Sequence, residues 1–150
     1  MLLAYRLPRE PSTPRIALWR KLKRLGAVQI QDSLVALPFD SRNREQLDWL
    51  ADEIAEAGGE ATVWIAQPAT AAQERALAAR MTEAVVADYR AVLEAARAAG
   101  AKRPVERRRT LARLRRTLRA IRARDFFPPP EREEAQQAVE ELGALTEVEQ

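Results

Sequence analysis

The chain has 150 residues, 47% of them hydrophobic and 31% charged, with a formal net charge of +3. It contains no Cys and no His, which excludes disulfides, thiolate chemistry, zinc sites of the usual kind and histidine general bases. No apolar run approaches the length of about 18 residues that a membrane helix needs, and "MLLAYRLPRE" lacks the marks of a secretory signal, so the default location is the cytoplasm.

Residues 2–7 ("LLAYRL") predict a short strand with Leu3, Tyr5 and Leu7 on one face. A proline-punctuated loop then leads into a helix over 14–25. Ser12 or Thr13 is placed to cap it, Pro14 occupies its first position, and Gly26 lies just beyond its end. Leu18, Trp19, Leu22 and Leu25 form its core stripe, with Arg20, Lys21, Lys23 and Arg24 on the opposite arc. "AVQIQ" (27–31) and "LVALP" (34–38) read as a strand pair turning at Asp32-Ser33. A second helix over 42–57, capped by Ser41, points Leu47, Leu50, Ala51 and Ile54 inward and ends at Gly58-Gly59. "EATVWIA" (60–66) is a fourth strand, apolar on both faces, so something must cover its second face. Trp19 and Trp64 read as core.

The order βαββαβ predicts an α+β, ferredoxin-like core over 1–67. A helical extension occupies 68–150, with helices over about 69–99, 105–124 and 131–142. In the second of these, Leu111, Leu114, Leu118 and Ile121 form a packing seam. Charge is distributed unevenly. Residues 102–125 hold eleven cations against two carboxylates, whereas 126–150 hold one cation against seven. Such polarity predicts that the basic stretch meets an acidic partner or an acidic surface of its own chain.

The stretches "LLAYRLPREPSTPRIALWRKLKRLGAVQIQDSLVALP" and "REQLDWLADEIAEAGGEATVWIA" resemble the N-terminal domain of ChrB proteins. The likeness covers 1–67 closely and continues more weakly to "RDFF" at 124–127. That domain is in turn similar to the Cas2-like domain of PaaX-type repressors. The resemblance implies a ferredoxin-like (Cas2-like) fold and a role in chromate-responsive gene regulation. It also implies a homodimer, or a partner carrying the longer C-terminal domain that follows in such proteins. Cas2-type nucleases resemble one another in an acidic metal ligand after the first strand's tyrosine. Arg6 stands at that position, and a guanidinium offers a hard cation no oxygen. The expectation is therefore a protein that is not an enzyme and has no metal or cofactor.

Three readings of the arc Arg20, Lys21, Lys23 and Arg24 stand side by side: a solvated helix face, phosphate binding, and oxyanion binding. Arg9 and Arg15 flank the loop before that helix, and with Arg20 they make a candidate anion pocket suited to a tetrahedral dianion such as chromate. The nine arginines from Arg107 to Arg124 either coat an exposed helix or contact nucleic acid, with Arg115, Arg116 and Arg119 chosen as contacts. No base-reading motif accompanies them. Trp49 lies amid Glu45, Asp52, Glu53 and Glu56 and reads as an interface anchor, with the Arg-rich helix or its copy in a second subunit docking there. The first functional reading is a regulator that binds DNA or a partner regulator. The alternative is an interaction module that dimerises through its sheet.

Overall fold

In β1 (Leu2–Arg6) the side chains alternate, and Leu3 is wholly buried between two half-buried neighbours. The computed structural model describes residues 1–148, which divide into one unit of Met1–Met81 and another from Thr82 on. In the first unit, β1 pairs antiparallel with β3 (Leu34–Ala36) and with β4 (Glu60–Trp64). This sets Leu3 beside both Val35 and Val63. β2 (Val28–Gln31) pairs with β3, so the strand order is β2-β3-β1-β4, antiparallel throughout. Ser33 turns the β2–β3 hairpin with a φ of 62°, the left-handed conformation that two-residue hairpin loops use.

Two helices join these strands. α1 (Thr13–Leu25) follows β1, and α2 (Ser41–Glu56) follows β3. β1 and β2 both run antiparallel to β3, as β4 does to β1, so α1 and α2 run in opposite directions. α2 packs against β1 and β4, and α1 against α2. The expected spacing holds for Leu18 and Leu22 and for Leu47, Leu50 and Ile54, all buried. The cap of α2 is Asp40 rather than Ser41. Its carboxylate accepts the Asn43 backbone N–H at 2.7 Å and carries a charge that suits the positive helix end. Ser12 precedes α1 without a side-chain cap bond. After α2, Gly58 adopts a φ of 82°. At Gly59 a Cβ would lie 2.3 Å from the Arg6 carbonyl oxygen, so only glycine lets β4 begin this close to β1.

Two tryptophans depart from expectation. Trp19 and Trp64 are 53% and 56% exposed. Trp19 follows Leu18 by one residue, a rotation of about 100° away from the buried stripe. Trp64 ends the edge strand β4 on the face opposite Val63. The neighbouring Ile65 is exposed as well, so this end of β4 lacks the cover its apolar character predicts.

α3 (Ala71–Ala99) begins in the first unit and continues into the second, which also holds α4 (Pro104–Arg122) and α5 (Glu131–Glu147). The core of the second unit combines Val85, Tyr89 and Val92 with the predicted seam of Leu111, Leu114, Leu118 and Ile121, and with Ala135, Val139 and Leu142. α5 runs on to Glu147 instead of stopping near 142, because Leu142, Gly143 and Thr146 are buried there. Arg107 is also buried. Its guanidinium donates to the Gly100 and Lys102 carbonyls at 3.1 and 2.9 Å, closing the break between α3 and α4.

The "RDFF" stretch is built into this second unit. Arg124 pairs with Asp88 on α3. The wholly buried Asp125 carboxylate accepts the Tyr89 hydroxyl at 2.8 Å and lies 3.7 Å from Arg132 on α5. Burial, and after it the bond to Asp125, pushes the Tyr89 hydroxyl well above its ordinary value of 10.0. The native state thus favours the neutral phenol, while unfolded tyrosine ionises near its ordinary value. This part of the stability is complete below pH 10 and is lost as pH climbs beyond it. In heat-unfolding series from pH 8 upward, the decline above about pH 10 is expected to be shallower in Tyr89→Phe than in wild type.

Candidate nucleic-acid interface

α4 puts its two residue types on different arcs. Leucines and Ile121 fill the inner arc and are buried. Arg108, Arg109, Arg113, Arg115, Arg116, Arg119 and Arg122 are exposed, and none forms an ion pair or side-chain hydrogen bond with a described residue. The remaining two of the nine arginines serve the fold: Arg107 is the buried clasp, and Arg124 holds Asp88. The +9 stretch is therefore not neutralised by the carboxylates of α5, whose Glu131 instead accepts from Arg90 on α3.

The chosen contacts split between two places on this helix. Arg115 and Arg119 line one groove of about 270 Å³ together with Arg122, Gln136, Val139 and Glu140. Arg116 stands outside it. Arg115 reaches across to α5, where its guanidinium lies 3.1 Å from the place a Cβ on Gly143 would take. Arg122 was absent from the sequence selection, although it follows Arg115 by seven residues and Arg119 by three, the spacing that shares a helix face. Gln136 gave no sequence signal, since only tertiary packing brings it to the groove.

The α1 arc is more heterogeneous. Lys21 pairs with Glu53 on α2, and the Lys23 ammonium sits 4.3 Å from the centre of the Trp19 ring. Arg20 and Arg24 point into solvent. Arg9, Arg15 and Arg20 are exposed too, and no contact among the described residues joins the three. Arg15 faces the Tyr5 hydroxyl. Burial raises the pKa of that group above its ordinary value; the positive charge of Arg15 opposes the rise and Asp32 adds to it. Arg6 pairs across the strands with Glu60 at 2.9 Å. No group of three or more potential ligands is placed to hold a metal ion among the described residues. Trp49 is 56% exposed. The leucine seam of α4, the helix expected to dock there, packs in the core of the second unit.

This is an α+β protein that presents an unneutralised cationic helix, and none of its described helices is long and apolar enough to cross a membrane. The family described as "Protein ChrB, N-terminal" matches residues 15–102, and the chain belongs to that family. "Protein ChrB" of Cupriavidus metallidurans is 36% identical over 132 residues, which is 85% of this chain. The chain spans 40% of that relative's length. No solved structure matches it.

Proposed function

We propose that this chain is a cytoplasmic, non-enzymatic regulatory domain of chromate resistance, which grips the phosphate backbone of duplex DNA through α4. Its first unit is read as a ferredoxin-like, Cas2-like core, on the element order and the strand order β2-β3-β1-β4. The observation that carries the reading is the exposed, unpaired arginine arc of α4 over a fully buried leucine arc. Guanidinium forks are suited to phosphate oxygens, and charge left unneutralised by the chain's own carboxylates attracts a polyanion. No base-reading motif accompanies these arginines, so sequence choice is assigned to DNA shape or to a partner regulator. A gel-shift series across salt concentrations is the test. Affinity for duplex DNA is expected to fall linearly on a log–log plot, and equal affinity in low and high salt would defeat the reading.

Oxyanion binding at Arg9, Arg15 and Arg20 is a separable second reading. It is favoured by the start of α1, which has no acidic residue in its first turn and no side-chain cap. Chromate and sulfate, titrated against the melting temperature, are expected to stabilise wild type and to stabilise Arg15→Ala less. No rise with either anion would remove the pocket.

A further inference from the structure

We propose that the outer faces of α1 and α2 form a homodimer interface, with α1 of one copy lying on α2 of the other and the reverse. α1 carries five cations and no carboxylate, and its exposed side includes Ile16, at 48%, alongside Arg20, Lys23 and Arg24. α2 presents Trp49 amid the exposed Glu45, Asp52 and Glu56. Each face is an apolar centre among charges, basic throughout on α1 and mainly acidic on α2, where exposed Arg42 lies on the same arc two turns before Trp49. A buried aromatic anchor with a charged surround is the make-up of a protein interface. The pairing chemistry already operates inside one chain, where Lys21 bonds Glu53 between the same two helices.

Symmetry selects the occupant. DNA fits α1 but is repelled by α2, and an acidic protein fails for the same reason. A surface matching both halves must be acidic over α1 and basic over α2. The chain's own helix layer, turned over, is such a surface. A two-fold axis parallel to the helices and between them sets α1 on α2 twice, in one closed, isologous contact. Because α1 and α2 run in opposite directions, the facing helices are antiparallel. Trp49 then meets Ile16 and the stems of Arg20 and Arg24. The proposed contact draws only on α1 and α2, so its test is separate from that of DNA binding.

Sedimentation of the wild type over a range of concentrations is expected to show a monomer–dimer equilibrium, weakened by salt. Arg20→Glu with Arg24→Glu, and separately Asp52→Arg with Glu56→Arg, are each expected to raise the dimer Kd about a hundredfold, because like charges then face each other at both contacts. Mixing the two variants sets reversed α1 on reversed α2 at one contact and native α1 on native α2 at the other, so opposite charges face each other at both, and a mixed dimer is expected to form. Circular dichroism and heat unfolding check that each variant is folded. A wild type that stays monomeric overturns the proposal. So does a dimer indifferent to both reversals, a mixture that fails to associate, or growth beyond the dimer. Dissociation by Arg115→Gln, Arg116→Gln and Arg119→Gln would overturn it too, by making α4 the occupant of the Trp49 face.

Discussion

Duplex DNA is expected to bind far more weakly to a variant with Arg115, Arg116 and Arg119 all replaced by Gln, and that weaker binding should respond less to salt. Each phosphate neutralised by a cation releases condensed counterions, contributing a slope of about −0.9 in log affinity against log salt. If all three arginines meet phosphates, their loss flattens the slope by roughly 2.7. None of the three has an ion-pair partner among the described residues, and all are exposed, so Gln gives up charge without unsettling the packing. Stability is expected to stay within about 0.5 kcal/mol of wild type. The informative result is the pair of measurements. A lower melting temperature with an unchanged salt slope would mean that these arginines serve the fold and leave DNA to another surface.

Asp125→Ala is expected to produce the largest loss of stability of any single polar substitution in the second unit. The carboxylate is wholly buried, holds the Tyr89 hydroxyl and lies near Arg132. Removing it leaves a buried phenol without an acceptor and a largely buried guanidinium without its counter-charge. Breaking one side of such an arrangement costs about 3–5 kcal/mol, against total stabilities of about 5–15 kcal/mol for domains generally. The neighbouring pair makes the control. Asp88, with its side chain 45% exposed, bonds Arg124, and water competes for both partners, so Asp88→Ala should cost only about 0–1 kcal/mol. Urea unfolding of the two variants compares them directly. Equal losses would mean that burial does not set the value of these contacts.

The seams were legible because helical spacing is a local property. Leu47, Leu50 and Ile54, and Leu111, Leu114, Leu118 and Ile121, fall where periodicity put them. Trp19 and Trp64 were misassigned because side-chain type outweighed position: Trp19 adjoins the buried Leu18 and Trp64 the half-buried Val63, and each points elsewhere. Arg107 was legible in principle, since it precedes Leu111 by four residues and so shares its buried arc, but its charge placed it with the exposed arginines. The Tyr89–Asp125 bond links residues 36 apart in sequence, and no periodicity reports such a meeting. The groove shared by Arg115, Arg119, Arg122 and Gln136 was half legible: the helix supplies the arginine face, and only the packing of α5 supplies the opposite wall.

Because the leucines and the exposed arginines of α4 occupy separate arcs, the helix can change its charge without changing its packing. If α4 grips DNA as proposed, seven arginines are adjustable one at a time, each exchange moving affinity by about one counterion's worth of entropy while the core beneath keeps its shape. Arg107 and Arg124 are the exceptions, held in place by carbonyls and by Asp88. On that reading the surface is open to gradual tuning, from a tight grip on a polyanion to a loose one, because the charge sits apart from the packing.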